Sequence, residues 1–211
     1  MSYLFFNNSY NPAMFSTVEA KQSWDELLEA KIFMPLGMSN ATSIFEKAQQ
    51  HPLMAKGYTW KEVEQVHERL PMRNLNRIAP AGGINANVLD MANWVRLHLN
   101  HGEFDGKRLI SEEQLNETHS PQIKIADGMA YGMGWFLRSW EGKKVVEHGG
   151  NIDGFGAQVA MLPEENIGFV LLTNLTASPL QQMSVNMVWD HLQGKSILIR
   201  LYKQFCPEVI F

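Results

Sequence analysis

The sequence predicts an α+β fold built on an antiparallel sheet. The first observation is a group of short apolar runs within residues 143–174, rich in Val, Ile, Leu and Phe and separated by Gly, Asn, Asp and Pro. Such runs are typical of successive antiparallel strands. The second observation is that other segments carry apolar residues at helical spacing, each after a residue suited to capping a helix. Strands in one stretch and helices elsewhere favour this fold class.

The first predicted helix begins after Ser23. Ser23 and Glu26 match a capping box, in which each side chain accepts a hydrogen bond from the other residue's backbone N–H. Apolar residues then follow at helical spacing for about ten residues, until Pro35 and Gly37 end the helix. A similar box lies upstream, at Ser16 and Glu19.

The middle of the chain predicts two further helices. Residues 39–78 are polar and weakly patterned, with one short strand predicted near 57–60. Asn87 is a suitable cap for a helix that runs through Asn100 with one apolar face. Ser111 opens a shorter helix.

The sheet is predicted from the C-terminal half. Residues 131–137 form its first strand, and residues 163–166 supply Pro and Asn for the tight link between its last two strands. Three further strands contain Val145-Val146, residues 155–162 and residues 167–172. Ser178 and Pro179 suit the start of a helix over about 180–193 that covers the sheet.

Composition excludes several classes of protein. A hydrophobic content of 45% with 19% charged residues is typical of a globular chain. A net charge of -4 argues against nucleic acid and anionic membranes as partners, and no apolar run reaches the roughly 18 residues of a membrane span. Cys206, the single cysteine, excludes internal disulfides. The histidines lack metal-site spacing, and His98 and His101 are expected to cap a helix end, so no metal or cofactor is expected.

One short motif has two interpretations. His148 is followed directly by Gly149 and Gly150, which remove the side chains that would keep a ligand or another backbone away from that strand. From the local pattern alone, a simple bend with a half-exposed histidine is the commoner explanation. The alternative is a strand edge that binds a ligand.

Four motifs in one order resemble a known family: SWDELLEAKIFMPLGM (23–38), IAPAGGINANVLDMANWV (78–95), YGMGWF (131–136) and EHGGNIDGFGAQVAMLPEENIGFVLLTN (147–174). Together they resemble the serine β-lactamase and penicillin-binding protein family, in its class C and esterase/D-aminopeptidase branch. The resemblance covers roughly residues 5–192. It implies a β-lactamase/transpeptidase-like fold, an antiparallel sheet flanked by helices, with the active site in a groove beside the sheet.

The resemblance also implies roles for particular residues. His148-Gly149-Gly150 looks like the family's Lys/His-x-Gly strand, whose glycines let a substrate acyl group lie along the edge. The backbone N–H of Asn151 would then be one of two oxyanion-hole donors. His148, as donor or cation, would stabilise developing negative charge or hold a loop tyrosine. Trp135 is expected nearest the site among the tryptophans.

The family's Tyr-x-Asn loop has only an imperfect match. Phe6 lies in the place of the tyrosine and Asn8 in the place of the asparagine, and the register one residue earlier, Phe5 and Asn7, fits nearly as well. Asn8 would still hydrogen-bond a substrate amide. Phenylalanine neither takes nor gives a proton, so the usual proton shuttle is in doubt.

The family's Ser-x-x-Lys pair does not occur in the sequence, and neither does Gly-x-Ser-x-Gly. We therefore expect residues 1–194 to be the C-terminal portion of such a domain, an incomplete fold without its nucleophile. Within it we expect a helical insert at about 39–130, the sheet at 131–174 and a covering helix at 179–193. Residues 195–211 form an atypical tail.

The expected parent function is acyl-enzyme hydrolysis of an amide or ester, with a β-lactam, a D-amino-acid peptide or a simple ester as substrate. The alternatives are a non-catalytic binding or regulatory derivative and a non-functional gene fragment. A small molecule or peptide is the expected partner, and the sequence leaves the oligomeric state open. Family members are often periplasmic or secreted, whereas residues 1–15 lack the order of a secretory signal.

Overall fold

The computed structural model describes Ser2–Tyr3 and residues 22–195. The strands are β1 (Ser2–Tyr3), β2 (Gly57–Lys61), β3 (Val66–Leu70), β4 (Asn85–Ala86), β5 (Glu103–Phe104), β6 (Lys107–Arg108), β7 (Ile123–Ala126), β8 (Met129–Tyr131), β9 (Phe136–Trp140), β10 (Lys143–Ile152), β11 (Phe155–Leu162) and β12 (Ile167–Thr173). The α-helices are α1 (Trp24–Leu28), α2 (Phe45–Gln50), α3 (Ala79–Gly82), α4 (Val88–Leu99), α5 (Glu112–Thr118) and α6 (Pro179–Leu192).

Six strands form the main sheet, in the order β12-β11-β10-β9-β8-β7. Each strand pairs antiparallel with its neighbour along the chain, so the sheet is a meander, as the sequence predicts. Two-residue turns join its central strands, Glu141-Gly142 and Asp153-Gly154, and all four residues have positive φ. That conformation matches the twist of a hairpin and favours glycine. Asn166 ends the predicted tight link at φ 53°.

The two faces of the sheet are covered by different helices because successive side chains of a strand point to opposite sides. Val146, Val159 and Met161 pack in one core cluster with Met91 and Val95 of α4. The other face packs on α6. Its core cluster consists of Trp140, Val145, Ala160, Leu162, Val185 and Trp189. This arrangement is the α+β fold with flanking helices that the sequence predicts.

The predicted helix starts that lie within the described residues agree with the structure. Ser23 and Glu26 form the complete capping box of α1, which continues into a π-helical turn, Glu29–Phe33. The Asn87 side chain accepts a hydrogen bond from the Asp90 N–H at the start of α4. The covering helix α6 begins at Pro179 as predicted, although the Ser178 side chain forms no capping bond. The upstream capping box, Ser16 to Glu19, lies outside the described residues.

Two local predictions need correction, and one strand was not predicted. The single strand predicted over 131–137 is two strands, β8 and β9, because the chain turns at residues 132–135 and Gly132 lies against backbone carbonyls at the end of α5. Strand β7 was not predicted because its four residues are all exposed and show no burial alternation. The insert at about 39–130 is mixed, with helices α2 to α5 beside the hairpins β2–β3 and β5–β6.

The longest described helix, α6, has 14 residues. The described part of the chain contains no helix with the length and apolar character of a membrane span.

Candidate active site

The glycine-containing segment of β10 forms an open strand edge. Strand β9 pairs with β10 only as far as Glu147, opposite Phe136. On its other side, β10 stays paired with β11 as far as Ile152, opposite Phe155. Within the described residues, positions 148–152 therefore have no strand partner on the β9 side. This open edge results from the turn before Phe136, which directs the chain away from β10.

The register of the β10–β11 hairpin determines which backbone groups face this open edge. A two-residue turn is closed by a hydrogen-bonded pair, here Ile152 and Phe155, and hydrogen-bonded pairs then alternate along an antiparallel ladder. Gly150 and His148 thus bond to β11. The N–H groups of Gly149 and Asn151 consequently point towards the open edge.

A cavity of about 610 Å³ lies along this edge. Its lining comes from four strands and one helix: Gly149, Gly150 and Asn151 of β10, Phe136 and Arg138 of β9, Gln158 of β11, Met129 of β8, and Gln181 and Asn186 of α6, among others. Gln181 joins the helix to the sheet, since its Nε2 donates to the carbonyls of Gly150 at 3.0 Å and Ala157 at 2.7 Å. The cavity wall therefore combines backbone, polar side chains and the apolar side chains of Met129, Phe136 and Val185.

Gly149 packs closely against a side chain that the sequence did not reveal. A Cβ at this position would overlap the side-chain amide of Gln158. The space that the glycine leaves free is thus filled by Gln158. The open space along the edge of β10 exists instead because β9 begins only at Phe136.

His148 is buried beside two aromatic rings. Its side chain is 6% exposed, its ring stacks on Phe136 with centroids 5.4 Å apart, and its Nε2 lies 3.3 Å from the Tyr131 hydroxyl. Burial lowers the pKa of His148 to about 4, so the imidazole is neutral at pH 7. Its Nδ1 is buried and forms no hydrogen bond within the described part of the chain. Of the two roles expected for this residue, donor or cation, the environment favours the neutral donor.

The charged side chains of the cavity wall compensate each other. Arg138 Nε donates to Glu147 Oε1 at 2.6 Å, and the two side chains are 18% and 13% exposed. Arg138 Nη2 also donates to Asn186 Oδ1 at 3.1 Å, and Gln158 Nε2 donates to Glu147 Oε2 at 3.3 Å. This network holds β9, β10, β11 and α6 together under the cavity.

The structure places the other predicted residues as follows. Phe6 and Asn8 lie outside the described residues. Trp135 is 3% exposed and lies in the core, with its ring centroid 5.0 Å from that of His98 and 5.7 Å from that of His119. That Trp135 is the tryptophan nearest the site stays a prediction, while the next residue, Phe136, lines the cavity.

Sequence reasoning missed Tyr131, Arg138 and Gln181 as neighbours of the glycine strand. Tyr131 belongs to the YGMGWF motif, which was quoted for the resemblance but carried no assigned role. No sequence pattern pointed to Arg138 or Gln181 as site residues, since their approach to β10 depends on sheet register and on the docking of α6.

His98 was expected to cap a helix end as a cation, and the structure shows otherwise. Its Nδ1 lies 2.9 Å from His119 Nε2 in a buried pair. Burial, followed by the neighbouring His119, holds the pKa of His98 well below its usual range. Burial, followed by the charges of Lys144 and His101, lowers the pKa of His119 to about 4. Among the described residues, no group of three or more His, Cys, Asp or Glu side chains is placed to hold a metal ion.

Comparison with known proteins gives concordant matches. The family model described as Beta-lactamase matches residues 14–188. "Unguisins hydrolase ungD'" of Aspergillus campestris is 26% identical over 85% of this chain and 34% of its own length. The D-alanyl-D-alanine-carboxypeptidase/endopeptidase AmpH of Escherichia coli K12 is 26% identical over 83% of this chain and 46% of its own length.

A solved structure also shares the fold. The octameric penicillin-binding protein homologue from Pyrococcus abyssi superposes with a TM-score of 0.75 and 24% identity, over 84% of this chain and 39% of that one. The chain spans between about a third and just under a half of the curated relatives named above. Since the family model covers most of the sequence, the chain belongs to the β-lactamase family, which includes the serine β-lactamases and penicillin-binding proteins.

Proposed function

We propose that this chain provides the oxyanion-hole side of a β-lactamase-family serine hydrolase that cleaves an amide or ester through an acyl-enzyme. The observation that carries the proposal is the open edge of β10, towards which the register directs the N–H groups of Gly149 and Asn151, beside a cavity of about 610 Å³ lined by residues 149–151. Backbone N–H groups fixed in a strand are suited to stabilising the oxyanion of a tetrahedral intermediate, because they need no reorganisation during the reaction.

On this proposal the substrate acyl group lies along residues 149–151 and its carbonyl oxygen accepts from Asn151 N–H. His148 supports the edge as a neutral group, in accord with its lowered pKa. Phe6 and Asn8 would border the groove from the loop that resembles Tyr-x-Asn. Trp135 has no contact with substrate on this proposal, because it lies in the core.

The nucleophile is proposed to come from a segment outside these 211 residues. The sequence contains no Ser-x-x-Lys, and an activated serine needs a base within hydrogen-bond reach. The chain also spans less than half the length of the curated relatives described above. On this proposal the 211-residue chain alone retains the edge and the cavity but has almost no hydrolase activity.

A second candidate is a binding derivative of the same fold that holds peptide or acyl groups without turnover. The observation that favours it is Phe6, which stands where the family has its tyrosine and cannot transfer a proton. A non-functional gene fragment is the third alternative. The upstream coding sequence separates the three. An in-frame Ser-x-x-Lys supports the hydrolase, an in-frame segment without it supports the binding derivative, and stop codons support the gene fragment.

The direct test is covalent labelling followed by intact-mass measurement. The 211-residue chain and the longest in-frame product that contains it are each treated with a fluorophosphonate and with a penicillin, after circular dichroism shows that they fold. We expect no adduct on the chain and one adduct on the longer product, at a serine of Ser-x-x-Lys. An adduct on the chain alone would contradict the assignment of the nucleophile. A folded longer product that is not labelled by any acylating probe would contradict the hydrolase itself.

A further inference from the structure

The Tyr131 hydroxyl lies next to His148, just beyond the first residue of strand β9. Tyr131 lies opposite Phe136, and Phe136 lies opposite Glu147, so these three residues form one row across β8, β9 and β10. His148 is the next residue, just beyond the point where β9 begins. The Tyr131 side chain passes the edge of the Phe136 ring, with centroids 4.9 Å apart, and reaches His148 Nε2 at 3.3 Å.

The direction of this hydrogen bond follows from the chemistry of the two groups. A phenol O–H is a stronger donor than the N–H of a neutral imidazole, and an imidazole lone pair is a stronger acceptor than a phenol oxygen. Burial raises the pKa of Tyr131, which keeps its proton, and lowers the pKa of His148, which keeps its lone pair. The favoured arrangement is therefore Tyr131 O–H donating to Nε2, with the imidazole proton on Nδ1.

We propose that Tyr131 is a positioning residue that fixes His148 as the Nδ1–H tautomer and holds its ring at the open edge of β10. The tautomer is unusual, because a free histidine side chain in water prefers the proton on Nε2. Phe136 adds a second restraint by stacking on the imidazole. The ring is thus held on one nitrogen by a hydrogen bond and on one face by packing.

The fixed tautomer has a consequence for the site. Nδ1 is buried and lacks a hydrogen-bond partner within the described residues, so it is left as an N–H donor for an oxygen acceptor. Its use in catalysis rests on the proposed function. There the neutral imidazole would support the edge without introducing a positive charge.

The tautomer is tested by ¹⁵N NMR of the histidine side chains in the 211-residue chain. The signals of His148 are assigned by their loss in His148→Gln, and the spectra are recorded between pH 5.5 and 8. We expect one tautomer with protonated Nδ1 and unprotonated Nε2 across this range, without a change in protonation. A wild-type chain with the proton on Nε2 overturns the proposal, whether or not any variant folds.

The role of Tyr131 is tested with Tyr131→Phe, which removes only the hydroxyl. We expect the proton of His148 to shift towards Nε2, giving a mixture or the opposite tautomer. The matched control is Tyr58→Phe on β2, which removes a hydroxyl remote from His148 in sequence and should leave the His148 signals unchanged. An unaltered tautomer in folded Tyr131→Phe would show that the tyrosine does not set it.

These outcomes are independent of catalysis. A failure of covalent labelling would contradict the proposed hydrolase function but would not affect the measured tautomer of His148. A wrong tautomer would overturn the positioning role and leave the labelling result standing.

Discussion

At the scale of single residues, two ion pairs with similar geometry differ in burial. Arg138 and Glu147 are 18% and 13% exposed, whereas Arg96 and Asp105 are 53% and 65% exposed. A largely buried charge that loses its partner stays desolvated and unpaired, which is costly, while an exposed charge returns to water. The network under the cavity should therefore matter far more to folding than the pair at the surface.

We expect Glu147→Gln to lower the free energy of unfolding by about 3 kcal/mol, because it leaves the Arg138 guanidinium without its counter-charge. Urea unfolding followed by tryptophan fluorescence measures the loss. The matched control, Asp105→Asn, should cost less than about 1 kcal/mol. Adding Arg138→Met to Glu147→Gln should recover part of the stability, since no unpaired charge remains. Equal losses for the two single variants would contradict this account.

At the scale of elements, the hairpin β2–β3 is attached to the tip of the β10–β11 hairpin. The Tyr58 N–H donates to two backbone carbonyls, with its nitrogen 3.1 Å from the Gly154 oxygen and 3.0 Å from the Asn174 oxygen. Gly154 has φ +91°, and a Cβ there would lie 2.5 Å from backbone atoms of Gly57 and Tyr58. The contact is backbone against backbone, so no side chain can move to make room.

We expect Gly154→Ala to cost at least about 2 kcal/mol more than Gly128→Ala in urea unfolding. Both glycines have positive φ, so both substitutions incur the left-handed strain of about 1–2 kcal/mol. Of the two, Gly154 also has neighbouring backbone, whereas no atom of the described residues lies within 4 Å of a Cβ added at Gly128. Hydrogen exchange at the Tyr58 amide should increase in Gly154→Ala alone. Similar exchange in the two variants would mean that the hairpin is held elsewhere.

At the scale of the whole molecule, three buried neutral histidines make stability depend on pH. The pKa values of His119 and His148 are lowered to about 4, and that of His98 is also lowered. The unfolded chain, with ordinary histidine pKa values near 6.5, binds more protons than the folded chain below that pH. Stability is therefore fully present above pH 6.5 and decreases as the pH falls towards 4.

We expect the free energy of unfolding to fall by roughly 3 kcal/mol for His119 alone over this range, measured by urea unfolding between pH 7.5 and 4. His119→Asn should have a shallower pH dependence than the wild type, although it is less stable at pH 7.5. His191→Asn, at an exposed position, is the matched control and should leave the slope unchanged. Identical slopes for all three chains would show that the His98–His119 pair takes up a proton without unfolding.

Local features of this fold were predictable because their causes are local. Asn166, which adopts positive φ, was read from turn chemistry, and Asn87 was read from cap chemistry. The prediction of one strand over 131–137 was wrong because Gly132 lies against the end of α5, which is 12 or more residues away along the chain. Similarly, His98 was taken for a cationic cap at a helix end because its burial depends on His119 and Trp135.

The sequence by itself determined the meander, its tight turns, the starts of α1, α4, α5 and α6, and the His148-Gly149-Gly150 strand, because turn residues, caps and apolar spacing act over a few neighbours. Only the tertiary structure decided how the site is built. The start of β9 at Phe136 leaves the edge of β10 open, and the same strand end lets Tyr131 reach His148. The neutral state of His148 likewise arises from burial among residues from separate strands, which spacing along the chain does not encode.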